Sequence, residues 1–301
     1  FNSILECYNY YFLPNDVNNL ISDPYKEFGF SISMFCSSIE KLTIPTSVKS
    51  IGCYAFDGCS SILEIEIPST VTLIDQNAFN FCSSLIKINI PSSVKLIGEG
   101  AFSGCSSLTE LEITSSVTSI EDYAFYECSS LKEITIPSSV TKINQSVFKQ
   151  CSSLEKVVIL SELKSIGKGA FLGCFKLKEF TIPSSVNLID EDAFMKCTSL
   201  MKIEIPPLCA SLKSYCFSEC SSLTQVIITS SVNHIPNYAF FQCENLKEIK
   251  FQCNSSLLSI GSNAFGHCSS MNEIIIPSYV TSIGEGSFKG CSSLIKITIP
   301  S

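Results

Sequence analysis

Apolar and polar positions recur every 23 residues along most of this 301-residue chain. The unit reads C-S-S-L-x-x-I-x-I-P-S-S-V-x-x-I-G-x-x-A-F-x-x, and a phenylalanine stands three residues before each cysteine from Cys59 onward. A constant period of this length is typical of a solenoid, in which every unit forms one coil. The cysteines that mark the register are spaced by 23 residues, with one interval of 25: Cys36, Cys59, Cys82, Cys105, Cys128, Cys151, Cys174, Cys197, Cys220, Cys243, Cys268 and Cys291.

Each unit predicts one strand and one returning segment. In residues 133–136, Ile134 and Ile136 alternate with polar residues, which is the pattern of a half-buried strand. Pro137 cannot donate to a sheet and ends the strand. Val140 and Ile143 then point back inward, and the Ala-Phe pair of the unit closes the coil within a turn or a short helical turn. Stacked coils would place parallel strands about 4.8 Å apart around one continuous core.

Glycine follows the inward isoleucine of the returning segment in five units. A turn that needs unusual backbone dihedral angles selects glycine, because glycine has no Cβ. We therefore expect such dihedral angles at this position, which is held by Gly52, Gly98, Gly167, Gly261 and Gly284.

The unit resembles the BspA-like class of leucine-rich repeats, whose pattern runs close to L-x-x-I-x-I-P-x-S-V-T-x-I-G-x-x-A-F-x-x-C. Residues 131–151 (LKEITIPSSVTKINQSVFKQC) and 271–291 (MNEIIIPSYVTSIGEGSFKGC) match it nearly position by position. The resemblance implies a leucine-rich-repeat solenoid. This is a right-handed superhelix with a parallel β-sheet on the concave face and short turns or 3-10 segments on the convex face.

The resemblance also bears on function. Members of the family are often surface proteins of bacteria and parasitic protists, implicated in attachment to host cells or matrix proteins. It therefore implies a non-enzymatic protein-binding scaffold, such as a cell-surface adhesin or a host-matrix-binding module. The alternative is an intracellular scaffold or a self-assembling structural protein.

The chain divides into two regions. Residues 36–301 form the predicted array of about 11–12 units, and because residue 301 falls inside a unit, we expect the natural chain to continue. Residues 1–35 lack the repeat and are rich in aromatics, so they are interpreted as a cap on the open solenoid end. An alternative role is homo-oligomerisation through this cap or the solenoid ends. The candidate contacts in the cap are Tyr8, Tyr10, Tyr11 and Phe12.

The 17 cysteines raise the question of disulfides or metal binding. There is no matched set of C-x-x-C pairs, and the chain has only two histidines. We therefore expect the repeat cysteines to form a ladder of buried free thiols, with a disulfide or zinc ladder as the alternative. Free thiols fit a reducing compartment, which conflicts with the cell-surface location that the resemblance implies. A cytoplasmic location stays open for that reason.

Composition narrows the function classes further. The formal net charge is -8 and every basic residue is lysine, which argues against a nucleic-acid partner. The sequence contains no run of about 20 apolar residues, so it predicts no membrane span. No catalytic constellation, metal-ligand cluster or phosphate loop stands apart from the repeat, so we predict neither enzymatic activity nor a cofactor.

The outward strand positions are the candidate binding surface. One row mostly alternates lysine with glutamate between neighbouring coils, which favours a face that pairs its own charges. The second row is largely polar but carries three apolar residues, and such exceptions can mark a partner site. The candidate partner-binding residues in this row are Val158, Glu204, Ile227, Lys250 and Ile275.

Two units depart from the repeat. The unit from Cys243 to Cys268 has two extra residues, and Pro206 and Pro207 precede Leu208 and Cys209 in another. Insertions in repeat arrays map to loops, often on the binding face. A tolerated bulge is the alternative explanation.

Overall fold

The chain forms a parallel β-solenoid with one coil for each repeat phenylalanine. The computed structural model describes residues 40–229, 231–252 and 255–299. No α-helix or 3-10 helix occurs in these ranges, so turns connect the strands. The predicted cap at residues 1–35, with Tyr8, Tyr10, Tyr11 and Phe12, lies outside the described residues.

Each complete coil in the described ranges carries one longer and one shorter strand, except that the coil with residues 179–182 carries only the shorter one. The longer strands are β1 (Lys41–Thr43), β3 (Glu64–Glu66), β5 (Lys87–Asn89), β7 (Glu110–Glu112), β9 (Glu133–Ile136), β11 (Lys156–Ile159), β14 (Lys202–Ile205), β16 (Gln225–Ile228), β18 (Glu248–Phe251), β20 (Glu273–Ile275) and β22 (Lys296–Thr298). The shorter strands are β2 (Ser50–Ile51), β4 (Leu73–Ile74), β6 (Leu96–Ile97), β8 (Ser119–Ile120), β10 (Lys142–Ile143), β12 (Ser165–Ile166), β13 (Leu188–Ile189), β15 (Ser211–Leu212), β17 (His234–Ile235), β19 (Ser259–Ile260) and β21 (Ser282–Ile283).

Every pairing is parallel and joins equivalent positions of successive units. The longer strands pair in four groups: β1-β3-β5-β7, β9-β11, β14-β16-β18 and β20-β22. The shorter strands pair in three: β2-β4-β6-β8, β10-β12-β13-β15 and β17-β19-β21. The fold class predicted from the repeat is therefore confirmed. The shorter ladder, built on the inward isoleucine of the returning segment, was not predicted as a strand.

The repeat phenylalanines form a continuous stack through the core. Successive rings from Phe56 to Phe288 lie 5.2 to 5.7 Å apart between centroids, with interplanar angles of 3° to 15°. The rings from Phe79 to Phe265 are fully buried. Offset-stacked aromatic pairs contribute about 0.5–1.5 kcal/mol each beyond the area that they bury.

The turn before each cysteine alternates local and inter-coil hydrogen bonds. The amides of Tyr54, Phe56 and Gly58 donate to carbonyls of the next coil, while those of Ala55 and Asp57 donate within their own coil. Two residues per turn have positive φ, namely the residue two before the phenylalanine and the residue just before the cysteine. Both sites accept residues other than glycine, such as Tyr54 and Phe81 at φ of 56° and 53°.

The prediction for the five glycines after the inward isoleucine was wrong in its physical reason. None of Gly52, Gly98, Gly167, Gly261 and Gly284 has a positive φ. A Cβ on Gly98 would lie 2.5 Å from the carbonyl carbon of Asp75, and one on Gly284 would lie 2.5 Å from the amide nitrogen of Ser262. Glycine therefore allows close approach to the backbone of the preceding coil.

The repeat cysteines form hydrogen bonds between successive coils inside the core. From Cys82 to Cys291, each thiol donates a hydrogen bond to the carbonyl of the phenylalanine in the preceding coil, at 3.1 to 3.2 Å. The same carbonyl also accepts the amide of the cysteine in its own coil. Among the described cysteines these thiols are free, as are Cys53, Cys209 and Cys216, whereas Cys59 is disulfide-bonded.

Burial suppresses ionisation of the fully buried repeat thiols, whereas a hydrogen bond with Cys268 lowers the pKa of the partly buried Cys291. Burial raises the pKa of Cys151 and of Cys220 from 9.0 to about 12, because a thiolate would lose its hydration inside the core. Buried thiols of this kind are chemically inert, so the ladder is part of the packing.

Truncation of the phenylalanine stack should destabilise the array strongly. We expect Phe148→Ala to lower the free energy of unfolding by about 3–5 kcal/mol, because the ring is fully buried between two neighbours. Urea denaturation followed by circular dichroism measures the change. Phe81→Ala is the matched control, since that ring is 54% exposed and its loss should cost far less. Equal midpoints for Phe148→Ala and the parent would show that the ring is not core.

The thiol ladder should make the protein sensitive to alkaline pH. The folded pKa of Cys151 is about 12, above its ordinary value of 9.0. Its contribution is therefore fully present below pH 9 and is lost as pH rises from 9 towards 12, at up to about 1.4 kcal/mol per pH unit. Urea denaturation under reducing conditions should show a steeper loss between pH 9 and 10 for the parent than for Cys151→Ala, by about 1 kcal/mol.

The neighbouring Ser153→Ala is the control for that comparison and should keep the slope of the parent. Parallel pH profiles for Cys151→Ala and the parent would contradict the proposed role of the buried thiol.

Candidate partner-binding face

The face of the longer strands presents two rows of outward side chains. In the first row, the lysine ammonium contacts the glutamate carboxylate of the neighbouring strand in three pairs: Lys41–Glu64 at 3.4 Å, Lys87–Glu110 at 3.0 Å and Lys156–Glu133 at 3.6 Å. Cross-strand charge pairing in this row is thus confirmed at these positions. Each side chain is more than half exposed, so the pairs contribute little to stability and mainly keep the face hydrated.

Three of the five candidate partner-binding residues are direct neighbours. Glu204, Ile227 and Lys250 occupy equivalent positions on β14, β16 and β18 and are in register. Val158 lies on β11 opposite Thr135, and Ile275 lies on β20 opposite Thr298. The structure therefore places Val158 and Ile275 in other strand groups. We call Glu204, Ile227 and Lys250 the central row.

Of the two charged residues in the central row, Lys250 is ion-paired within the described ranges and Glu204 is not. Lys250 forms an ion pair with Glu248 at 2.8 Å, and Glu248 also accepts a hydrogen bond from Gln225. The hydrogen bond from Lys250, followed by that from Gln225, lowers the pKa of Glu248. Glu204 is exposed and has no ion pair among the described residues.

A gap in the longer-strand ladder adjoins this row. Residues 179–182 stand where a longer strand is expected, between β11 and β14, but they form no strand. Their backbone N–H and C=O groups have no hydrogen-bond partner among the described residues. On the other side of the same coil, β13 pairs normally with β12 and β15, so the interruption is confined to this face.

We infer that Phe180 causes the absence of a strand at residues 179–182. It replaces the inward isoleucine of the repeat, and its ring lies 5.0 Å from that of Phe171 and 4.8 Å from that of Phe194. In the described part of the chain, it is the only ring outside the phenylalanine stack that contacts the stack. A ring wedged against two others needs more room than an isoleucine, and this keeps the backbone out of pairing distance.

The gap adjoins a surface groove with a volume of about 590 Å³. Phe180, Met201 and the prolines Pro206 and Pro207 form apolar parts of its lining, and Lys202 and Glu204 lie beside them. This volume lies within the usual range for ligand pockets. The repeat pattern predicts a departure at Pro206 and Pro207 but none at residues 179–182.

The described residues contain no group of three histidine, cysteine, aspartate or glutamate side chains that could hold a metal ion. Across the same ranges, no helix has the length and apolar character needed to cross a membrane.

The family model for the BspA type leucine rich repeat region, in six copies, matches residues 26–155, 141–258 and 250–301. The chain belongs to this family. No curated protein is similar enough to the chain to count as a match.

Two solved structures resemble this BspA-type array over most of its length. A leucine-rich repeat protein from Bacteroides ovatus ATCC 8483 is 33% identical, with a TM-score of 0.59, over 86% of this chain and 81% of that one. A leucine rich cell surface protein from Faecalibacterium prausnitzii A2-165 is 28% identical, with a TM-score of 0.55, over 87% and 88% of the two chains.

Unpaired backbone at residues 179–182 should be visible by hydrogen exchange. We expect the amides of Glu179, Thr181 and Ile182 to exchange with solvent at least tenfold faster than those of Ile203 and Ile205, the inward residues of β14, which pairs with β16 in this BspA-type array. Hydrogen–deuterium exchange resolved by NMR or mass spectrometry measures the rates. Phe180→Ile should slow exchange at 179–182, and unchanged rates in that variant would contradict the role of the ring.

Proposed function

We propose that the chain is a non-enzymatic protein-binding scaffold that acts at the cell surface, as an adhesin or a host-matrix-binding module. The observation that carries the proposal is the central row Glu204–Ile227–Lys250, where an apolar side chain lies between two exposed opposite charges. A rigid array can present such a row to a partner at little cost in conformational entropy. The Faecalibacterium relative, described as a cell surface protein, supports the location.

A second candidate is an intracellular scaffold or self-assembling structural protein. The observation that favours it is the long series of free thiols, since cysteines persist as thiols more readily in a reducing compartment. The thiols are mostly buried and resist ionisation, so oxidation from solvent is slow in either compartment. The thiol ladder is therefore compatible with the surface proposal and does not decide between the two.

The location is tested by antibody staining of intact and permeabilised source cells. We expect intact cells to stain, because an adhesin must be accessible from outside. Staining that appears only after permeabilisation would reject the cell-surface proposal and favour the intracellular scaffold.

The binding face is tested with a panel of purified extracellular-matrix proteins in a solid-phase assay. For any matrix protein that binds, the double variant Ile227→Asp with Lys250→Glu should bind at least tenfold more weakly, because it removes the apolar contact and reverses a charge. Lys95→Glu is the matched control, since Lys95 is exposed beside β6 in the shorter-strand ladder and should leave binding unchanged. Equal losses in both variants would show that the longer-strand face is not the binding surface.

A further inference from the structure

A second groove, which we call the turn groove, follows the turns that carry the repeat cysteines. Its volume is about 460 Å³, and it extends from Phe81 to Phe175. These two rings belong to coils four strand spacings apart, which is roughly 19 Å along the array. Both rings are exposed, Phe81 at 54% and Phe175 at 38%. The turn groove therefore has an accessible aromatic ring at each end.

Neither ring is explained by the repeat. Phe81 stands directly before a repeat cysteine, where every other described coil has glycine or a polar residue. Phe175 stands directly after one, where every other described coil has serine, threonine or glutamate. Each is thus a single apolar exception in an otherwise small or polar row. Exposed apolar residues that depart from their surroundings in this way mark binding sites.

The backbone at Phe81 strengthens this interpretation. Its φ of 53° lies in the left-handed region, which disfavours any residue with a Cβ, and Gly58, Gly104 and Gly173 occupy the equivalent position of other coils. A Cβ on Gly104 would lie 2.5 Å from Cδ1 of Phe81, so the ring lies against the glycine of the next coil. An exposed ring in a strained conformation adds little to the core, and such residues cluster at ligand sites.

Between the rings, the turn groove offers mainly hydrogen-bond acceptors. The amides of Ser106 and Ser129 donate to the carbonyls of Gly104 and Glu127 in their own coils at 2.8 Å. The hydroxyls of Ser106 and Ser129 donate to serine carbonyls of the preceding coils at 3.3 Å. With their protons engaged, these hydroxyl oxygens keep lone pairs that accept from a ligand. Among the described residues that line the turn groove, Glu127 is the only charged one and Gln150 the only one with side-chain N–H donors.

We propose that the turn groove binds a neutral oligosaccharide of about four sugar units. A sugar ring has a face of C–H groups that packs on an aromatic ring, and its hydroxyl groups donate hydrogen bonds. A pyranose unit is about as long as the strand spacing, so successive sugars meet equivalent positions of successive coils. The site combines aromatic surface with a few placed polar groups, as small-molecule sites do.

A polypeptide matches the turn groove less well. Peptide carbonyl groups need donors, and the backbone amides of the groove are already engaged within the protein. A basic side chain would find one carboxylate, that of Glu127, and a sulfated or sialylated chain would be repelled by it. The proposed ligand goes beyond the protein partner proposed above and uses a surface separate from the central row.

The test is an array of immobilised neutral, sialylated and sulfated oligosaccharides, with basic and acidic peptides beside them. We expect binding to neutral chains of several sugars, with affinities then measured by isothermal titration calorimetry. Phe81→Gly and Phe175→Ser restore residues that the repeat uses elsewhere, so the fold should be kept. Each should weaken binding at least tenfold. Phe81→Gly should also leave the thermal midpoint equal or higher, because it removes a Cβ from a left-handed position.

Matched variants separate the turn groove from the rest of the turn surface. Ser129→Ala removes one acceptor and should weaken binding about fivefold. Ser221→Ala removes the hydroxyl at the same position of a coil outside the groove, and Phe241→Ser removes a partly exposed ring outside it. Both controls should bind the sugar as the parent does.

Several outcomes would overturn the proposal. They are binding to charged oligosaccharides or peptides without neutral ones, binding to no member of the array, and parent affinity in Phe81→Gly. Equal losses in Ser129→Ala and Ser221→Ala would also reject the turn groove as the site. Because Phe81→Gly and the parent are compared at equal thermal stability, lost binding cannot be attributed to unfolding.

Discussion

The fold depends on stacking each coil one strand spacing above the last. Backbone hydrogen bonds along both strand ladders and along the turn fix that spacing, so every side chain has its own counterpart as its neighbour. This constraint selects residues that pack against copies of themselves. Phenylalanine rings do so by offset stacking, and inward isoleucines do so by lying in line.

The same constraint explains where cysteine is used. A residue at this position must be small enough to be buried in every coil and must tolerate an identical neighbour. The thiol of Cys128 meets both needs and donates to the carbonyl of Phe102, so that one residue type fills space and links successive coils. Charged residues in such a row are exposed and mostly alternate in sign, as Lys87 and Glu110 do.

Much of this architecture could be predicted from the sequence, because each position of the unit recurs in eleven coils and its environment can be inferred from all of them. Inward Ile134 and the free thiols from Cys82 onward were predicted correctly, whereas Cys59, which was also expected to be a free thiol, is disulfide-bonded. The shorter strands were missed because two residues, such as Ser119 and Ile120, are too few to show an alternating pattern. The close approach at Gly98 was missed because a local sequence does not show which backbone lies opposite.

The candidate face was predictable only in part, for a related reason. Register followed from the period, so Glu204, Ile227 and Lys250 could be placed in one row. Phe180 lies at the interruption beside them, and it keeps the apolar character of the isoleucine that it replaces but differs in shape. A pattern of apolar and polar positions carries no information about side-chain shape. The sequence therefore predicted only an inward apolar residue at this position. The shape of one inward side chain can therefore differ in one ladder while the other ladder is kept, since β13 still pairs with β12 and β15.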